Sequence, residues 1–301
     1  MRFRLLYPVI LIIFTFSCKN DESQPTNTTA NVDPIIYFSS NNSAPRTSAL
    51  FSINSDGNNK IQLDYFPSNL EIRELDYCPA TKKIVYTSTD SSSSDIFTIN
   101  LDGSNNIPIT NDTIHRSHPK FSSDGSKILF LSVDFPSGTR NAFIMNSDGS
   151  NIFQIPRRGL DIWDADWSPD DQKIIFTGGK DIYSMNIDGS ELVKLTNDTL
   201  YALEPQISPD GAKVTFGAYS ILNTEHVDLY KMDLDGKNLI NLSNFETKNY
   251  FFYVRNLNWS KNGKKVVFTS DKDRNIRDGQ RDLFVTNSDG SGLVKLDTLI
   301  G

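Results

Sequence analysis

The chain has 301 residues, 38% of them hydrophobic, with 30 basic against 37 acidic side chains and a formal net charge of −7. That length and apolar share support a packed core, and all-β rings often run past about 200 residues as one domain. The acidic balance argues against a nucleic-acid partner, which would need a basic patch, and two cysteines are too few for a disulfide framework.

Residues 1–17 read as a lipoprotein signal peptide. Arg2 and Arg4 precede an apolar run from Leu5 to Phe16, shorter than the roughly 20 residues of a spanning helix and suited to the apolar region of a leader. Thr15-Phe16-Ser17-Cys18 has the form of a lipobox, with Thr where Leu is common. Cys18 is the expected lipidation site, against the plainer alternative of a secreted protein with a chance cysteine. Lys19-Asn20-Asp21-Glu22 is similar to the charged export tag of some Gram-negative surface lipoproteins, or is simply a solvated linker. Residues 18–34, rich in Ser, Thr, Asn, Gln and Pro, read as a flexible tether.

From residue 35 onward the sequence repeats. Residues 35–63 give three strands, with the innermost strand of that unit missing; Leu299-Ile300 is a short candidate for the closing strand. Five full units follow. Each joins four strand-length apolar runs through tight turns. The Asp-Gly between its last two strands falls at Gly57, Gly103, Gly149, Gly189, Gly236 and Gly290, at intervals of 46, 46, 40, 47 and 54 residues. Asp-Gly is a strong hairpin signal because Gly accepts positive φ. An earlier turn recurs as Ser168-Pro169-Asp170 and Ser208-Pro209-Asp210-Gly211, with Cys78 in the Ser slot of the first full unit, where a small buried residue is the plain reading. A period in the forties with four strands per unit is the mark of propeller blades. The expected fold is all-β, a six-bladed β-propeller of four-stranded antiparallel blades over residues 35–301.

The Ser-Pro-Asp-Gly, Ile-x-Phe, Asp-Ile-Tyr-x-Met-Asn-x-Asp-Gly-Ser and Leu-Thr pattern resembles the WD40-like repeat of TolB-type β-propellers over roughly residues 35–297. The resemblance implies the architecture. The α/β domain that precedes the propeller in TolB itself is not recognised in this sequence, and TolB is soluble and periplasmic where this chain reads as lipidated, so the role is not carried over.

Counting strands from the inside, the one-to-two and three-to-four turns leave on one face and are short in every unit. The two-to-three loops and the crossovers leave on the other face and are long and unequal. Binding residues concentrate on loops held by rigid scaffolds, so the long-loop face is the expected working surface. Its candidate ligand-binding residues are Trp163, Tyr201, Tyr219, Tyr250, Tyr253, Arg157, Arg158 and Arg255, since aromatics and arginines favour recognition surfaces. Several of these could instead pack beneath the loops. Aligning the units on the Ser slot places Glu74, His118, Asp164, Glu204 and Asn256 at one channel mouth. Such a set could hold Ca²⁺ or a cationic ligand, or be the hydrated rim that any propeller channel needs.

Enzyme signals are poor. There is no Gly-x-Ser-x-Gly elbow and no zinc spacing, and Asp233-Leu234-Asp235-Gly236 lacks the downstream Glu of a calcium loop. The sequence reading is an outer-membrane or cell-surface lipoprotein of a Gram-negative bacterium, without a cofactor. Its propeller is read as a non-catalytic binding or scaffold module for an envelope protein, peptide or glycan. A metal-assisted polysaccharide lyase is the alternative, though it would need His115, His118 and His226 together.

Overall fold

The structure is a computed structural model, and it describes residues 11–15, 35–41, 48–65, 71–89, 94–134, 137–197, 199–220, 223–243, 254–270 and 282–296. The chain is an all-β propeller of four-stranded antiparallel blades. Among the described residues the strands fall into six sheets, each in chain order from the inside out. The first holds Leu11–Thr15, Ile35–Asn41, Ser48–Asn54 and Ile61–Tyr65; the second Glu71–Cys78, Lys83–Thr89, Ser94–Asn100 and Ile107–Pro108; the third Arg116–Phe121, Lys127–Asp134, Thr139–Asn146 and Phe153–Gln154. The fourth holds Ile162–Trp167, Lys173–Gly178, Asp181–Asn186 and Val193–Lys194; the fifth Leu200–Ile207, Lys213–Ser220, Asn223–Asp233 and Ile240–Asn241; the sixth Arg255–Trp259, Lys265–Ser270, Asp282–Asn287 and Val294–Leu296.

The inner slot of the first sheet differs from the expectation. It is filled by Leu11–Thr15, paired antiparallel with Ile35–Ser39. An apolar run of that length serves equally as a strand or as the apolar part of a leader, which is why sequence alone left the slot empty. Leu299 and Ile300 lie outside the described residues.

Strand alternation assigns each side chain to a neighbour. In the fourth sheet Ile174 and Phe176 pack toward the third, while Ile175 packs toward the fifth. Likewise Val266 and Phe268 of the sixth sheet meet the fifth, and Val267 turns the other way to share a core with Ile53 and Phe51 of the first. The second strands therefore read as continuous apolar runs, buried on both faces. The aromatic of each Ile-x-Phe stretch stacks on its cross-strand partner: Tyr86 on Phe97, Phe130 on Phe143, Phe176 on Tyr183, Phe216 on Tyr230 and Phe268 on Phe284, with ring centroids 5.3 to 5.8 Å apart. Each such pair contributes about 0.5–1.5 kcal/mol beyond its buried area.

The turns explain the repeated polar residues. Ser168 Oγ donates to Asp170 and accepts the N–H of Lys173, and Ser208 does the same with Asp210 and Lys213. Gly149 adopts φ 87°, and a Cβ there would lie 2.1 Å from Ile109 O of the preceding sheet. The Asp-Gly turn is thus also a contact between sheets. In the second to sixth sheets the antiparallel order places the one-to-two and three-to-four turns at one end and the two-to-three loops and crossovers at the other. The expected contrast in length fails in the fourth sheet, where Gly179 and Lys180 alone join the second and third strands.

Candidate functional site at the channel mouth

The inner strands converge on a small opening of about 70 Å³. Glu74, His118, Asp164, Glu204 and Asn256 line it, one from each of five consecutive sheets. Their orientation comes from a repeated irregularity. The pairing of first and second strands slips at this level in each of these sheets, for example between Ile72 and Leu75 and between Leu203 and Gln206. His118, Glu204 and Asn256 sit in these bulges with φ of 53°, 49° and 52°. Positive φ is uncommon for non-glycine residues and is found where the surrounding structure imposes it. A bulge re-aims a side chain that strict alternation would fix.

Each acidic group at the mouth is engaged. Thr87 Oγ1 donates to Glu74. His118 Nε2 lies 3.1 Å from Asp164 Oδ1. Glu204 accepts the backbone N–H of Asn256 and lies 3.7 Å from an Arg255 guanidinium nitrogen. Burial alone would lower the pKa of His118; the charge of Glu74, the hydrogen bond and charge of Asp164 and the charge of Glu204 outweigh it and raise it to about 9. The imidazole is therefore charged at neutral pH. Its Nδ1 is buried with no hydrogen-bond partner among the described residues. Burial, then the charge of Asp164, pushes the Glu204 carboxyl upward.

A second layer lies one step deeper. Asp76 accepts the N–H of Phe121, and Asp166 accepts that of Ile207, so both stitch their sheet to the next one. Lys120 Nζ lies 4.0 Å from Asp76. Burial raises both carboxyls, Asp166 to about 6. Trp167 and Trp259 donate from Nε1 to Lys120 O and Gln206 O of the neighbouring inner strand. This layer holds the ring together beneath the mouth.

The other sequence candidates are spread more widely. Trp163 is exposed at 42% and carries the Arg140 guanidinium 4.1 Å above its ring. Tyr201 stacks on Tyr219 with centroids 4.9 Å apart. Arg255 joins the mouth through Glu204. Arg157 borders a different cavity, in the third sheet. Arg158 donates to Gly189 O, at an Asp-Gly turn of the fourth sheet. Tyr250 and Tyr253 lie outside the described residues. Among the described residues no group of three or more His, Cys, Asp or Glu has metal-holding geometry. Sequence reasoning missed the engagement of Thr87, because a threonine in a buried strand carries no signal of which carboxylate it meets.

A family model described as TolB β-propeller domain matches residues 74–249. Among solved structures, TolB from Acinetobacter baumannii is similar, with a TM-score of 0.71 and 19% identity over 87% of this chain and 63% of that one. The chain thus spans less than two thirds of that protein's length. A putative TolB from Agrobacterium tumefaciens matches with a TM-score of 0.56 and 20% identity, over 68% of this chain and 76% of that one. An oligogalacturonate lyase in complex with manganese matches with a TM-score of 0.56 and 15% identity, over 87% of this chain and 74% of that one. At these identities the likeness is one of fold. No curated protein matches the chain.

Proposed function

Because the chain belongs to the TolB β-propeller domain family, we propose that it is a non-catalytic binding module of the bacterial envelope, taking a protein or peptide ligand on the channel-mouth face. One observation carries this reading: a charged, half-buried imidazole at the mouth whose buried Nδ1–H has no acceptor among the described residues. A ligand carbonyl or carboxylate oxygen would supply that acceptor, and satisfying a buried charged donor is worth about 1.5–3 kcal/mol. The same imidazole is a poor general base at neutral pH, since with a pKa of about 9 it already holds its proton. An opening of about 70 Å³ admits a single polar group rather than a whole substrate.

Two further parts of the reading concern assembly and location. The ring is read as six blades, supported by the core that Ile53 of the first sheet shares with Val267 and Leu296 of the sixth. The mature protein is read as a lipoprotein anchored through Cys18, which lies outside the described residues. That reading requires Leu11–Thr15 to leave the first sheet on processing. Mass spectrometry of the mature N-terminus decides it; an unmodified Cys18 removes the anchor.

The binding reading is tested by cross-linking and pulldown from envelope extract with wild type, His118→Gln, Arg255→Ala and Lys237→Ala. Lys237 lies in a tight turn on the opposite face and is exposed. The two mouth variants are expected to lose the partner and Lys237→Ala to retain it. The reverse pattern places the site on the wrong face. Chelator-sensitive cleavage of a polysaccharide, lost in His118→Gln, favours a lyase instead.

A further inference from the structure

The third sheet departs from the repeat in a way that opens a second site. In the second sheet Asp95 accepts from Thr110 Oγ1 at 3.0 Å, and that oxygen accepts the N–H of Ile96 at 2.9 Å. In the fourth, Asp181 and Thr196 form the same pair at 2.8 Å, with Ile182 N at 3.0 Å. Strand register places Phe97, Phe143 and Tyr183 opposite Pro108, Gln154 and Lys194. The third-sheet residues equivalent to the Asp–Thr pair are therefore Asn141 and Pro156. Proline has no hydroxyl to offer. Asn141 is 5% exposed, and its Oδ1 is buried with no hydrogen-bond partner among the described residues. An unsatisfied buried acceptor costs about 1–3 kcal/mol.

Asn141 lines a cavity of about 790 Å³ on the same sheet, within the size range of small-molecule pockets. Phe130 and Phe143, stacked at 5.4 Å, contribute an aromatic wall. Arg116 is buried there at 4% exposure, but its charge is already matched: two guanidinium nitrogens donate to Asp112 at 2.7 Å each, and Asp95 lies 3.8 Å away. That guanidinium in turn holds the Asp112 carboxyl below its usual range. The cavity thus combines an aromatic wall, a free acceptor, and a buried cation that needs no anion from outside.

We propose that this third-sheet cavity is a binding site for a neutral sugar, one or more hexose units of a glycan, with a ring hydroxyl donating to Asn141 Oδ1 and the apolar face of the sugar against Phe143. A neutral polyol fits because it supplies donors and a C–H face without a net charge. An anionic sugar would add charge beside Asp112 and Asp134, which line the same space. Arg157 also lines it and donates to Leu160 O, so the uronic acid is the comparator that weighs the two carboxylates against this one cation. The proposal rests on no part of the channel-mouth reading.

The test is saturation-transfer NMR and calorimetry on the full chain. The probes are glucose, galactose, mannose, N-acetylglucosamine and their disaccharides, with galacturonic acid as the charged comparator. A neutral sugar is expected to bind, and Asn141→Ala to weaken it roughly tenfold, as loss of one hydrogen bond would. Asn141→Asp combined with Pro156→Thr restores the pair found in the flanking sheets; it should raise the melting temperature and abolish sugar binding. His118→Gln should leave sugar binding unchanged. Saturation by no neutral sugar up to about 10 mM, preference for the uronic acid, or full binding by the repaired double variant would each overturn the proposal.

Discussion

His118 Nε2 and Asp164 Oδ1 lie 3.1 Å apart across two adjacent sheets. The pair links inner strands of the third and fourth sheets that are also joined by the Trp167 bond beneath it. It also sets a pH dependence. The folded pKa of His118, about 9, stands above its ordinary value of 6.5. The native state therefore binds more protons between those limits, and stability falls as pH rises through that window. Wild type should lose a few degrees of melting temperature between pH 6.5 and 9.5 relative to His118→Gln. The side chain is 35% exposed, so solvent screening keeps the effect modest. An unchanging difference between the two proteins across that range would contradict the pair's role.

Asp166 should show the opposite type of linkage. Burial raises its pKa to about 6, with the Lys120 charge opposing and the Asp76 charge adding. A carboxyl with a raised folded pKa destabilises as it ionises, so its cost develops between about pH 4 and 6 and is complete above that. Asparagine can still accept the N–H of Ile207. Asp166→Asn is expected to gain on the order of 1 kcal/mol at pH 7.5 and almost nothing at pH 4. Urea denaturation at the two pH values checks this; a loss at pH 7.5 would show that attraction to Lys120 outweighs burial.

Two glycines with the same φ of 87° separate backbone strain from collision. Nothing lies within 4 Å of a Cβ built on Gly159, whereas one on Gly149 would meet Ile109 O at 2.1 Å. Gly159→Ala should cost only the left-handed strain, about 1–2 kcal/mol. Gly149→Ala should cost about 3 kcal/mol or more, because the neighbouring sheet must move as well. Equal costs in denaturation would mean that the sheets yield at this contact.

The tryptophans make a similar contrast. Trp167 is 6% exposed and donates to Lys120 O, while Trp163 is 42% exposed under Arg140. Trp167→Ala should cost about 3–5 kcal/mol. Trp163→Ala should cost about 1 kcal/mol, the worth of an exposed cation–π contact, which frees it for use as a binding probe. Comparable losses from both would make Trp163 a packing residue.

Sequence reached the parts of the fold that are set by residue type. Asp-Gly and Ser-Pro-Asp-Gly mark turns because only certain residues suit those conformations, and Ile174-Ile175-Phe176 reads as a doubly buried strand. The membership of the mouth was also legible, since Glu74, His118, Asp164, Glu204 and Asn256 hold equivalent places in the repeat. Their geometry was not. Nothing about His118 or Glu204 as residue types calls for positive φ; the bulge arises from register, which depends on two strands at once. The third-sheet cavity was hidden differently. Pro156 in place of a threonine is visible in the repeat, but its meaning depends on knowing that the threonine oxygen completes a bond to Asp95 or Asp181.

The core shared by Ile53, Val267 and Leu296 gives the molecule a kinetic weak point. Apart from the contacts of the first sheet with the sixth, to which Leu11–Thr15 also contributes, the contacts between described sheets join units that follow one another along the chain and can form as soon as the second of them exists. The contact of Ile53 with Leu296 joins segments some 240 residues apart in sequence, and closing so long a loop carries an entropic cost that local pairings escape. That cost predicts that it forms last during refolding and opens first under strain. Amide exchange in Ile35–Asn41 and Val294–Leu296 should accordingly outpace that in Lys173–Gly178, and a protease acting on the native protein should enter at this junction and release the chain from its two ends.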